Sequence, residues 1–176
     1  MEWESITEQI DGEFGTGVTK GLLGGRVPVA LADAETRTLY IIPVEWVEKV
    51  VNQDEAISAF FELRLMGIEL GQMAKSRFFL SLQVLPFLQS LTENILVVSS
   101  RGAEAFTYGK SILKESVVGM PRWLKRGQRV LIVNEDRECI GIAALALDAE
   151  RVNRLAPDKL VAKNLADIGW YIRRLG

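Results

Sequence analysis

Histidine is absent from the chain and cysteine occurs once. Without imidazole, every serine, cysteine or zinc mechanism built on a histidine is excluded, since no other side chain titrates unperturbed near neutrality. One cysteine and no histidine leave no Cys/His zinc site within one chain. General acid–base work would rest on carboxylates, lysine or tyrosine, which lowers the expectation of an enzyme. Cys139 has no partner for an internal disulfide, in keeping with a reducing compartment. No run approaches the ~18 apolar residues of a membrane helix. The opening MEWESITEQIDGEF lacks the basic-then-apolar order of a secretory signal. The expected compartment is the cytoplasm, and no cofactor or metal is expected.

What is present fits a globular protein: 176 residues, 48% apolar and 25% charged, enough for one domain or two small ones. The net charge of −2 hides an asymmetry. Residues 1–92 hold 7 Lys+Arg against 13 Asp+Glu, a balance of −6, and residues 93–176 hold 14 against 10, a balance of +4. Such a division hints at an anionic partner for the basic half, although two solvated surfaces of different charge give the same count.

Along the first half, the spacing predicts a helix to about Phe14 and then a glycine-rich connection, GEFGTGVTKGLLGG. RVPVAL and TRTLYII read as strands around the turn ADAE. Pro43 opens a helix carrying Val44, Val47, Val50 and Val51, since proline suits a first helical turn. FFELRLMGIELG and RFFLSLQVL alternate as strands, and LPFLQSL is a brief helix. Strands and helices mix irregularly, which points to an α+β unit with a mostly antiparallel sheet over residues 1–92. Thr92, Glu93 and Asn94 mark a boundary. Residues 93–176 then give strands at ILVVSS, RVLIVN, CIGIAALAL, LVAKNL and WYIRR, the pattern of a small β-barrel.

Gly109-Lys110-Ser111 ends like a phosphate-binding loop. Five residues before Gly109, however, stands Glu104, where a Walker loop has glycine. A carboxylate there would repel phosphate, and no strand ends in a suitable aspartate. The segment is no P-loop. The earlier TKG also lacks the Ser or Thr that such a loop requires.

GAEAFTYGKSILKESV, then LKRGQRVLIVNEDRECIGIAAL, and finally NLADIGWYIRR resemble a PUA domain over about residues 94–174. With GIELGQMAKSRFFLSLQVLPFL in front, the chain resembles the Nip-seven family of large-ribosomal-subunit assembly factors, and its compact length resembles the archaeal branch. It departs from the pattern at Ala143, where many such barrels have a second glycine. A further departure is Lys110, where eukaryotic-type members commonly have asparagine. The resemblance implies an N-terminal α+β domain, 1–92, and a C-terminal PUA-type small β-barrel, 93–176. It also implies a non-catalytic factor that binds pre-ribosomal RNA.

Carried over residue by residue, the resemblance places RNA against Gly109, Lys110, Ser111 and Lys114 on one side and Tyr171, Arg173 and Arg174 on the other. Gly109 serves equally as a helix C-cap. A second cluster is Arg151, Arg154, Lys159 and Lys163, whose first two members share a face in a helical turn. A third basic run holds Arg122, Lys125, Arg126 and Arg129. Beside it Trp123 reads as a lid over the barrel end, with an exposed stacking platform as the alternative. Of Trp170 and Tyr171, one is expected in the core and the other at the RNA. Candidate carboxylate pairs, Glu62 with Glu69 and Asp33 with Glu35, have nothing that places them in one pocket. The acidic first half suits a basic ribosomal or assembly protein, and neither a membrane nor DNA is expected as partner. An RNA-modifying enzyme or its accessory subunit, and a protein–protein adaptor, remain as alternatives.

Overall fold

The computed structural model describes residues 3–32, 36–51, 67–74, 77–170 and 173. Helix α1 (Trp3–Phe14) buries Ile6, Ile10 and Phe14, which recur every fourth residue and so line one face. That face packs with Leu39, Ile41, Leu70 and Phe78 of a four-stranded antiparallel sheet, β1 (Val27–Ala32), β2 (Arg37–Ile42), β3 (Ile68–Ala74) and β4 (Arg77–Leu80), ordered as in the chain. The hairpin β1–β2 registers Val27 opposite Ile42 and Ala32 opposite Arg37. Helix α3 (Val44–Val51) follows Pro43 as its spacing predicts. Residues 60–66 of the expected strand FFELRLMGIELG lie outside the described residues; its remainder forms β3.

The glycine run contains more order than its composition predicts. Within it lies a helix, α2 (Val18–Leu23), bounded by Gly17 and Gly24, both left-handed. Burial of Val18 and Leu22, one turn apart, compensates for weak helix propensity. Asp11 caps the helix. Its Oδ2 accepts the Gly17 N–H at 2.8 Å, and its Oδ1 accepts the Thr19 N–H and hydroxyl at 2.7 Å each. Burial alone raises the Asp11 pKa, but these hydrogen bonds outweigh it and hold the carboxyl below its ordinary value. Asp11→Ala is therefore expected to cost about 1–2 kcal/mol at neutral pH. Because the folded pKa is depressed, this contribution exists above the ordinary carboxylate pKa and fades as pH falls through the folded value. Urea midpoints of the two proteins should differ at pH 7 and converge in strong acid.

The second half begins after a 3-10 turn (Leu82–Val84) and helix α4 (Leu85–Gln89). It comprises β5 (Ile95–Val98), α5 (Ser100–Thr107), β6 (Ile112–Leu113), β7 (Val117–Gly119), β8 (Arg129–Val133), β9 (Cys139–Leu145) and β10 (Leu160–Asp167). These strands form one curled six-stranded sheet, ordered β6-β10-β9-β8-β5-β7, parallel only between β5 and β8. Its interior is filled by Leu96, Val98, Phe106, Leu124, Val130, Ile132, Leu145 and Val161, among others. Strand β8 is buried on both faces. Val130 and Ile132 enter this core, whereas Leu131 and Val133 join Ile142 and α1 in the other. That double burial explains the unbroken apolar run VLIV. Polar ties reinforce the contact: Asn94 donates to the Glu13 carbonyl at 3.0 Å, and Arg129 meets the Glu13 carboxylate at 3.1 Å.

Three expectations are corrected. Of RFFLSLQVL only Arg77–Leu80 is strand; Leu82–Val84 is a 3-10 turn, opened by Ser81 Oγ accepting the Gln83 N–H. The closing WYIRR does not extend the sheet, which ends at Asp167. The chain turns at Gly169, and Trp170 and Arg173 are helical, with the Arg173 N–H bonded to the Gly169 carbonyl at 3.0 Å. So short an apolar alternation cannot separate strand from helix. Trp123 is no lid: it is 56% exposed, and the neighbouring Leu124 is the residue inserted into the barrel core. No helix among the described residues is long and apolar enough to cross a membrane.

Candidate nucleic-acid interface

Helix α5 is capped at both ends. Ser99 Oγ accepts the Gly102 N–H at 3.3 Å. At the other end Gly109 takes φ +84°, its N–H bonds the Phe106 carbonyl at 2.8 Å, and the Lys110 N–H bonds the Ala105 carbonyl at 3.1 Å. This paired closure is a Schellman motif, which needs a left-handed residue. The turn leaves Tyr108 68% exposed and Lys110 in solvent.

A polar cluster fixes that turn to β10. Asn164 Nδ2 donates to the Phe106 carbonyl at 3.0 Å, to the Lys110 carbonyl at 3.4 Å and to Asp167 at 3.1 Å. Its backbone N–H donates to Ser111 Oγ at 3.3 Å. Arg173 grips the buried Asp167 with two hydrogen bonds of 2.9 and 3.0 Å and donates to the Thr107 carbonyl as well. The hydrogen bonds to Asp167 raise the Arg173 pKa. Ser111 and Arg173, two residues that the resemblance assigns to RNA, thus hold the loop in place, and Arg173 arrives with its charge already paired. Tyr171 and Arg174 lie outside the described residues.

The edge beyond this cluster gathers cations. Strand β6 pairs with β10, Leu113 opposite Leu160 and Ile112 opposite Ala162. The Lys114 N–H bonds the Lys159 carbonyl at 2.9 Å, and the Glu115 N–H bonds the Pro157 carbonyl at 3.0 Å. Lys110 and Lys114 therefore flank β6, while Lys159 and Lys163 flank the paired stretch of β10. Four residues of strand span roughly 13 Å. Arg151 and Arg154 lie in a 3-10 turn (Ala149–Arg154), where three residues per turn put both on one face. Register separates Lys163 from them. It pairs with Ala144, which pairs with Arg129, so Lys163 belongs to the sheet face that meets the first half.

Several cations are already engaged: Lys159 with Asp158, Lys125 with Glu150, Arg129 with Glu13 and Arg173 with Asp167. Lys110, Lys114, Arg122, Arg151, Arg154 and Lys163 have no ion pair among the described residues. A cleft of about 470 Å³ lies beside Arg101, Lys110, Ser111 and Glu115. Another, of about 220 Å³, joins Lys114 and Arg122 to Asn153. Lys110, Lys114, Lys159 and Arg122 thus gather along the β6–β10 edge and beside the 3-10 turn that carries Arg151 and Arg154, whereas Arg129 and Lys163 lie on the face toward the first half.

Sequence reasoning missed the exposure of Tyr108 beside this turn. The signal was available: Phe106 is buried, and a residue two positions on cannot share its helical face. Among the described residues no group of three metal-ligating side chains converges. Burial pushes the Cys139 thiol up to about 11, so it stays protonated and poorly nucleophilic at neutral pH.

A curled sheet whose first strand leads through a helix and a glycine turn to an edge strand is the architecture of a PUA domain. Residues 94–176 of this chain match the model of the UPF0113 PUA domain family. The chain is 29% identical over 112 residues to the 60S ribosome subunit biogenesis protein nip7 of Schizosaccharomyces pombe, covering 63% of this chain and 62% of that protein. It is 29% identical over 109 residues to a UPF0113 protein of Archaeoglobus fulgidus, covering 61% and 60%. The matches therefore span less than two thirds of those relatives. The structure of a conserved PUA domain protein from Thermoplasma acidophilum matches at a TM-score of 0.61 and 14% identity, over 98% of this chain and 92% of that one.

Proposed function

We propose that this protein is a non-catalytic RNA-binding factor of ribosome biogenesis, acting on large-subunit precursor RNA. The observation that carries the reading is the gathering of Lys110, Lys114, Arg151 and Arg154, none with an ion pair among the described residues, on one edge of a PUA domain and the turn beside it. Similarity to the fission-yeast protein supports the place in ribosome biogenesis. Lys159 and Gly109 contribute at the ends of the edge, Gly109 by letting the chain turn closely, whereas Lys163, on the sheet face toward the first half, lies apart from them. Ser111 and Arg173 position the loop, and Tyr171 and Arg174, outside the described residues, are proposed as RNA contacts on the resemblance alone.

Residues 93–176 face RNA in this reading, and the acidic residues 1–92 face a basic ribosomal or assembly protein. The charge balance of −6 against +4 favours that division, since an acidic surface repels RNA and attracts cationic protein. The test is binding of the full chain to single-stranded A- or U-rich RNA across a salt series. Affinity should fall linearly on log–log axes as salt rises. Failure to bind at low salt would sink the reading in favour of a protein adaptor.

A further inference from the structure

The geometry points to a phosphate seat in the 220 Å³ concavity between β7 and the 3-10 turn Ala149–Arg154, taking one phosphodiester of a bound RNA strand. The assignment rests on the RNA-binding reading above. Its walls are Val117, Val118, Gly119 and Met120, and Ala149 and Val152, both buried, come from the turn. The polar groups around it are Lys114, Arg122 and Asn153. Neither cation has an ion pair among the described residues, so both charges stay available to an anion seated between them. Arg122 supplies a planar fork matched to phosphate oxygens, Lys114 a compact point charge. The volume equals that of roughly seven waters, enough for a phosphate group and its remaining hydration but too little for a folded RNA element.

Position argues for a nucleic-acid phosphate. Lys114 is tied by its backbone to Lys159, and Asn153 lies between Arg151 and Arg154, so the concavity sits where the two groups of cations join. A strand running from Lys110 toward Arg154 crosses it. Trp123, the next residue after Arg122 and 56% exposed, offers a ring on which an adjoining base can stack.

The test uses the ¹⁵N-labelled full chain, titrated with a short A/U-rich single-stranded RNA and, separately, with inorganic phosphate. Two variants accompany it: the double Lys114→Ala/Arg122→Ala, and Gly119→Asp. Position 119 tolerates a side chain, since a Cβ built there meets no atom within 4 Å and the backbone is not left-handed. Expected are RNA-dependent shifts of the Val118, Gly119 and Asn153 amides, and a salt slope reduced by about 1.5 in the double variant. Gly119→Asp should weaken RNA binding at an unchanged thermal midpoint. Wild-type RNA binding with those amides unmoved, or an undiminished slope in the double variant, overturns the seat and leaves the broader reading standing. Inorganic phosphate as effective as RNA would show a free-anion site instead and overturn it too. No RNA binding by the wild type overturns both.

Discussion

Replacing Lys110, Lys114, Arg151 and Arg154 together by alanine is expected to flatten the log–log salt slope of RNA binding by about 3. Each cation that neutralises a phosphate releases ~0.7–0.9 of a counterion, so four lost contacts remove about three. The deficit in affinity should be about a thousandfold near 0.1 M salt and should vanish toward 1 M, where counterion release gives no advantage. These four are chosen because none has an ion pair among the described residues, and all lie beside the β6–β10 edge or on its neighbouring turn. Alanines at Lys125 and Arg129 should matter less for RNA per charge removed, since those cations are engaged with carboxylates. Equal loss per charge from both sets, measured by fluorescence anisotropy across a salt series, would mean a diffuse electrostatic attraction without a defined edge.

Gly141→Ala is expected to be among the most destabilising single substitutions in the chain, at ~4 kcal/mol. Gly141 has φ +155°, and a Cβ there would press on the Ala166 carbonyl and lie 2.8 Å from the Phe106 ring. It is paired with Asp167 across the ladder, at the place where β10 delivers the aspartate that Arg173 holds. A methyl group would push β10 away from α5 and disturb the Asn164–Asp167–Arg173 cluster together with the core. The urea midpoint should fall by about 2 M. A variant of wild-type stability would show that the close approach of β9, β10 and Phe106 is not required.

Much of this architecture is legible in the sequence because local signals and tertiary burial agree. Ile6, Ile10 and Phe14 mark the face of α1, Pro43 marks the start of α3, and VLIV has the composition of a strand covered on both sides. The I-G-x-A stretch is also readable. Gly141 answers a steric demand, whereas Ala143, the departure from the family pattern, fits entirely inside the barrel core. Where reading failed, tertiary context decided. Helix α2 hides in a glycine run because its cap, Asp11, lies outside it in the preceding helix. WYIRR carries no period long enough to show that Gly169 turns the chain, and Leu124 displaced Trp123 as the inserted residue although both are apolar neighbours.

The candidate site is legible in part, for a different reason. Basic residues announce themselves by composition, but only the fold shows which are neutralised. Arg173 and Arg154 look alike in sequence. The first is committed to Asp167 and the second has no ion pair among the described residues. Nor does spacing reveal that Lys114, Arg122 and Asn153 border one concavity, because the strands β7, β8 and β9 intervene along the chain.

The most direct measurement is photo-crosslinking of thiouridine-substituted RNA to the full-length protein, followed by peptide mapping of the adducts. Adducts are expected in the segments 108–114 and 149–163, with the sheet β1–β4 unmarked. Adducts confined to the acidic first half, or none at low salt, would contradict the assignment of RNA to the β6–β10 edge.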